Sequence, residues 1–205
     1  MALIGPPGFD VARMRREVRD TYERLAADPT SVGHLNHGAA YARTHLGYDA
    51  AELAALPAST TRAFVGVANP HRLGAPDPDA TVLDIGCGTG TDLLLTAQRL
   101  GPHGRVIGVD PTPTMRMRAR EGARALGLGP RVDVRPGLAE ELPLGSSSVD
   151  LVQTNGVLNL VVDKVRAFSE IHRVLKPGGR LHLADVLLHH DLHEHERMEP
   201  RLWAA

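Results

Sequence analysis

Two hydrophobic patterns divide the chain. Over residues 10–28, Val11, Met14, Val18, Tyr22 and Leu25 recur at helical spacing with arginines between them. That predicts an amphipathic helix, stopped by Asp28 and Pro29. A loop of small residues and histidines follows over 30–40. A short helix fits 49–56, with Asp49 as N-cap and Pro57 beyond its end. After residues 59–69 come Asn69-Pro70 and Ala75-Pro76-Asp77-Pro78-Asp79, a turn-rich stretch that reads as a boundary. From Thr81 the pattern becomes strand alternating with helix. Strands are expected at 81–85, 105–109, 131–135, 149–154 and 180–187. Helices are expected at 91–100, 113–126 and 163–175, the last ending at Lys176-Pro177-Gly178-Gly179. Such alternation predicts an α/β fold with a doubly wound, mostly parallel sheet. Residues 79–205 would form its core and residues 1–78 an N-terminal helical lid.

Composition adds mainly exclusions. A chain of 205 residues, 42% hydrophobic and 23% charged, can bury a core. With 23 basic against 24 acidic residues there is no broad positive field for nucleic acid or an anionic membrane surface. No apolar run approaches the roughly 18 residues of a membrane helix. Residues 1–10 lack the pattern of a secretory signal, so the cytoplasm is the expected compartment. The single cysteine, Cys87, cannot form an internal disulfide.

The chemistry concentrates in Val82-Leu83-Asp84-Ile85-Gly86-Cys87-Gly88-Thr89-Gly90. Three glycines directly after a buried strand allow a sharp turn and close approach of a ligand to the backbone. The start of the following helix offers unpaired N–H groups. Asp110 ends the second strand, with Pro111 beside it, about 20 residues past Gly90, where a carboxylate accepts hydrogen bonds from both ribose hydroxyls of an adenosine. A dinucleotide loop would carry glycine at position 91, which is Thr91 here, and Asp84 before the loop would repel a pyrophosphate. S-adenosylmethionine, with a sulfonium, an ammonium and no phosphate, suits these charges better than NAD does.

The segment from Val82 to Val186 resembles the Rossmann-like S-adenosylmethionine-dependent methyltransferases. The likeness rests on the glycine loop, Val106-Ile107-Gly108-Val109-Asp110, Ala139-Glu140-Glu141-Leu142-Pro143 and Leu175-Lys176-Pro177-Gly178-Gly179. Within that class it is most similar to the arsenite methyltransferase group. The added likeness lies in Tyr48-Asp49-Ala50-Ala51-Glu52-Leu53, Phe64-Val65-Gly66-Val67-Ala68-Asn69-Pro70 and Thr154-Asn155-Gly156-Val157-Leu158-Asn159-Leu160. The resemblance implies that Asp84, Gly86, Cys87, Gly88 and Gly90 form the cofactor loop and that Asp110 and Pro111 meet the ribose. It places Leu138, Ala139 and Glu140 at the adenine, with Glu140 standing in for an acid the class often has at position 138. Tyr22 would lie near the methionine end, and Asn155 over the sulfonium, where substrate and cofactor meet. Two positions that carry arsenic-binding thiolates in that group are Val67 and Gly156 here, which argues against thiolate-based arsenic chemistry and for another small-molecule methyl acceptor.

Other candidates are weaker. His34 and His37, in the N-terminal loop, would serve as a general base if that loop closed over the cofactor. His189, His190, His193 and His195 in the tail are read as a solvated helix, and no metal site is expected. The class normally adds a helix and an antiparallel strand pair after the fifth strand, and residues 191–205 allow one helix. Either the chain is a fragment or its edge strand is covered by a homodimer mate, a partner chain or its own N-terminal segment. A non-catalytic cofactor-binding subunit completed by a partner is the reading from another class.

Overall fold

The computed structural model describes residues 8–32, 35–187 and 193. The first amphipathic stretch forms α1 (Val11–Ala27), capped by the Asp10 side chain, which accepts from the Arg13 N–H at 2.8 Å. Next comes α2 (Gly38–Leu46), where the sequence pattern predicts no helix. It begins with Gly-Ala-Ala and buries only Ala42 completely, so it carries no apolar stripe to read. Gly47 closes it in the left-handed conformation (φ 72°). Two short helices follow, α3 (Ala50–Ala54) and α4 (Ala58–Thr61). Asp49 caps α3 as expected, accepting from the N–H groups of Ala51 and Glu52.

The core alternates β1 (Thr81–Ile85), α5 (Thr91–Arg99), β2 (Arg105–Val109), α6 (Pro113–Ala125), β3 (Val132–Arg135), β4 (Val149–Asn155), α7 (Lys164–Val174) and β5 (Leu175–Ala184). All neighbouring strands pair in parallel in the order β3-β2-β1-β4-β5. Strand order therefore reverses between β1 and β4. Period-two alternation splits the side chains of β1 between two cores. Val82, with Val106 and Leu151, packs on Leu93, Leu94, Ala97, Ala119 and Ala123 of α5 and α6. Leu83 and Ile85, with Val152, pack on Ala167, Ile171 and Val174 of α7.

The expected last helix and strand need one correction. Lys176-Pro177-Gly178-Gly179 does not terminate α7; it lies inside β5. Leu175 pairs with Val149 and Arg180 with Leu151, so the four residues form an irregularity that proline and glycine accommodate. The strand ends at Ala184 rather than residue 187. The N-terminal segment reaches this strand: a 3₁₀ turn at Pro70–Leu73 packs on it, and Arg180 Nη2 donates to the Ala75 carbonyl at 3.0 Å. Beyond Ala184, Val186 and Leu187 stay exposed.

The N-terminal helices α1 and α4 both lie against α6. At Gly122 a Cβ would collide with the Thr60 methyl of α4 and come within 2.9 Å of Leu94 Cδ1. Glycine-to-alanine in a helix normally gains up to about 1 kcal/mol. Overpacking costs about 1–3 kcal/mol, so Gly122→Ala is expected to lower the melting temperature. A rise would show that α4 yields freely at this contact.

Candidate functional site

A cavity of about 440 Å³ opens at the carboxyl ends of β1, β2 and β4, at the point where strand order reverses. Its floor is the loop between β1 and α5. Gly86 (φ 67°) and Gly90 (φ 95°) are left-handed, and each also permits a close approach. A Cβ on Gly86 would strike the Val157 side chain, and one on Gly90 would lie 3.1 Å from Ala119 Cβ. Four of the five loop N–H groups over 86–90 are spent inside the protein. Gly86 and Cys87 donate to the Val109 carbonyl, Gly90 to that of Cys87, and Gly88 to Asp110 Oδ2 at 3.0 Å. Thr91, at the position a dinucleotide loop would give to glycine, donates its hydroxyl to the Thr60 carbonyl at 2.8 Å; Thr89 does so at 2.5 Å.

Four acids, Asp84, Asp92, Asp110 and Glu140, line the cavity together with Arg15 and Arg19, and Arg15 pairs with Glu140. Asp84 is 3% exposed, and its Oδ2 has no hydrogen-bond partner among the described residues. Burial pushes its carboxyl well above the usual carboxylate range, and the charges of Asp92 and Asp110 push further. A buried, orphaned carboxylate oxygen facing a cavity is suited to an incoming cation such as an ammonium. Asp110 is buried too, which raises its carboxyl, while the N–H groups of Gly88 and Thr112 (2.8 Å) bind the two oxygens and oppose that rise. Each oxygen retains a lone pair for a hydroxyl donor.

Among the expected site residues, Asp84, Gly86, Cys87, Gly88, Asp110, Pro111, Leu138, Ala139, Glu140, Tyr22 and Asn155 all line this cavity. Gly90 lies behind it, against α6. Cys87 is buried, with its thiol pushed up by burial, and packs beside Gly108, where a Cβ would be 2.8 Å from Sγ. Glu140 Oε1 accepts from Arg15 Nη2 at 3.2 Å. Tyr22 is pushed up to about 12 by burial and by Asp110 and Asp185, so its hydroxyl is a neutral donor and not a base near neutral pH. His37 is not brought to the cavity. Its Nδ1 lies 3.2 Å from the Arg62 carbonyl at the start of α2. His34 and the tail histidines other than His193 lie outside the described residues. Among the described residues, no cluster of three or more His, Cys, Asp or Glu is placed to hold a metal.

Asn155 lines the cavity and ends β4, as expected. Its amide is occupied by the N-terminal segment and by Asp92, Tyr48 and the backbone of Val67 and Ala68. Asp92 and His71 escape sequence reasoning, and Tyr48 enters it only within a motif that carries the family likeness, with no role of its own. Asp92 looks like an ordinary acid in the first turn of a helix, and its partner Tyr48 is 44 residues away. Val67 and Gly156, far apart in sequence, are neighbours: a Cβ on Gly156 would lie 3.2 Å from Val67 Cγ1.

Such a sheet, with a glycine-loop cavity at its reversal point, has the fold of the S-adenosylmethionine-dependent methyltransferase class. A family model described as "Methyltransferase domain" matches residues 76–205, and the chain belongs to that family. It is 41% identical over 155 residues to an arsenite methyltransferase of Halobacterium salinarum, covering 76% of this chain and 39% of that protein. It is 40% identical over 103 residues to a demethylmenaquinone methyltransferase of Lactiplantibacillus plantarum, covering 50% of this chain and 44% of that one. The chain thus spans less than half the length of these relatives. A solved arsenic(III) S-adenosylmethionine methyltransferase from Chlamydomonas reinhardtii matches with TM-score 0.59 and 38% identity, over 64% of this chain and 46% of that structure. The cofactor to which the family and the cradle both point is S-adenosylmethionine.

Proposed function

We propose that the chain carries out methyl transfer from S-adenosylmethionine to a small-molecule acceptor. The observation that carries this reading is Asp84 Oδ2, buried and without a partner among the described residues, on a residue that lines the glycine-loop cavity together with Asp110. Asp84 would hold the ammonium, Asp110 the ribose hydroxyls, and the turn at Leu138, Ala139 and Glu140 the adenine. When bound, the cofactor supplies a methyl group made electrophilic by its sulfonium. The chain's own work is then alignment and exclusion of water, which need no dedicated base. Met14, Val18, Phe64, Val65 and Val157 supply the apolar walls. The N-terminal segment, residues 1–78, selects the acceptor, and the cytoplasm is the proposed compartment. Among the described residues no helix is long and apolar enough to cross a membrane. Valine at position 67 and glycine at 156 favour an acceptor other than a thiolate-held arsenic centre.

Thermal unfolding with S-adenosylmethionine, S-adenosylhomocysteine and NAD tests the reading, since a ligand of the native state raises its melting point. Stabilisation by the first two and not by NAD is expected; stabilisation by NAD alone would overturn it. In the ternary complex the Tyr22 hydroxyl acts as a donor. Tyr22→Phe should therefore slow turnover by about tenfold, the worth of one hydrogen bond, without altering its alkaline pH profile. Loss, in that variant, of a rise in rate with increasing pH would make Tyr22 a base instead. The second reading, a cofactor-binding subunit completed by a partner, draws on the exposed Leu183, Val186 and Leu187 at the end of β5. Under that reading turnover would appear only after the partner is added.

A further inference from the structure

Asn155 ends β4 on the cavity wall, yet its amide is fully engaged. Oδ1 accepts from the Val67 N–H at 2.8 Å and the Ala68 N–H at 3.3 Å. The two Nδ2 protons are shared among three acceptors: the Ala68 carbonyl at 2.8 Å, Asp92 Oδ2 at 2.9 Å and the Tyr48 hydroxyl oxygen at 3.1 Å. Asp92 Oδ1 in turn accepts from the Tyr48 hydroxyl at 2.7 Å and faces His71 Nε2 at 3.1 Å. Asp92 is 7% exposed and Tyr48 4%. One amide thus binds both backbone groups of Ala68 and joins the N-terminal segment to the first turn of α5, directly after the cofactor loop. Ala63, Phe64, Val65 and Gly66, just before that attachment, are cavity wall. The approach is tight: a Cβ on Gly66 would collide with the Asn155 amide and the Phe64 ring.

We propose that Asn155 is a positioning residue, which clamps residues 64–68 across the cavity and thereby sets the acceptor wall and the traffic of ligand through the cofactor site. The ligand part rests on the proposed cofactor; the clamp itself does not. An aspartate at this position would keep the acceptor for Val67 and Ala68. It would also turn a second oxygen toward the Ala68 carbonyl and the Asp92 carboxylate, where repulsion opens the clamp.

The test compares the parent with Asn155→Asp, Gly66→Ala and the double variant Asn155→Asp/Asp92→Asn. Amide hydrogen exchange at Val67 and Ala68 is measured beside global unfolding, together with association and dissociation rates of S-adenosylhomocysteine. In Asn155→Asp, local exchange should speed up by about tenfold, and both rate constants should rise by about tenfold, with the dissociation constant moving less than about threefold. Gly66→Ala, which displaces the amide without changing its chemistry, should act in the same direction. The double variant, which returns a donor to the 92–155 contact, should recover part of the change. Unchanged local exchange and unchanged rates in Asn155→Asp and Gly66→Ala overturn the clamp. So does a loss of protection spread over the whole sheet, which would make Asn155 a general structural residue. If the parent binds no S-adenosylhomocysteine, the cofactor reading fails, and exchange at Val67 and Ala68 still decides the clamp.

Discussion

Asp84→Asn is expected to raise the melting temperature of the ligand-free protein while removing most of the stabilisation that S-adenosylhomocysteine provides. The two halves have one cause. In the ligand-free state Asp84 is buried beside two other acids with an unpartnered oxygen, so ionising it costs free energy. Its folded-state carboxyl lies above the unfolded value of 3.8. The folded protein therefore holds its proton more tightly, and this contribution to stability is complete below that value. It is lost as pH rises through the higher folded value. Asparagine removes the loss. Relief of about 1–2 kcal/mol corresponds to a rise of roughly 3–6 °C above the folded-state pKa for a chain of this size. A bound ammonium reverses the balance, because Asp84 must be ionised to receive it. Affinity should thus increase with pH across the same interval in the parent and respond less in the variant. Removing one member of a buried charge pair costs about 2–5 kcal/mol, so the dissociation constant should rise at least 30-fold or so. Melting curves and calorimetry over a pH series measure both effects. A lower melting temperature with unchanged affinity would remove Asp84 from the ammonium site.

Asp110→Ala should do the opposite to the ligand-free protein and the same to the ligand. Its carboxylate satisfies the N–H groups of Gly88 and Thr112, so alanine strands two donors in a buried turn. At about 1–3 kcal/mol for each unsatisfied group, the melting temperature should fall by several degrees. Two hydrogen bonds from ribose hydroxyls to a charged acceptor are worth about 1.5–3 kcal/mol apiece, so affinity for S-adenosylhomocysteine should drop more than about a hundredfold. Asp110→Asn offers only part of a remedy, because its amide nitrogen would face one of the two N–H donors. Its affinity should fall between those of the parent and Asp110→Ala. Retention of parental affinity by Asp110→Ala would mean that the carboxylate only braces the loop.

Much of the cavity's lining was legible because its parts are local. Asp84, the three glycines and the end of β2 are placed by strand, turn and helix signals acting over a few residues, and β1 and β2 occupy the predicted ranges. Local signals say least where a residue's partner is remote. The Arg62 carbonyl that His37 meets lies 25 residues on. Lys176-Pro177-Gly178-Gly179 carries the usual marks of a helix end, yet pairing with β4 on both sides draws it into β5. Helix α2 buries one alanine completely and is supported mostly by its neighbours, so no period announces it.

Hydrophobic period and glycine placement, properties of the chain's order, were enough to determine a parallel sheet and an acid-flanked loop. Side-chain direction in a strand and backbone freedom in a turn follow from adjacent residues alone. The tertiary structure decided what those parts face. It left Asp84 Oδ2 without a partner among the described residues, committed four of the five loop N–H groups to protein acceptors, and brought Val67 beside Gly156. It also tied Asn155, on the cavity wall, to both backbone groups of Ala68. Hydrogen bonds across 44 to 107 residues, such as those joining Tyr48 to Asp92 and to Asn155, depend on where the whole chain puts each end. No window of sequence contains both ends.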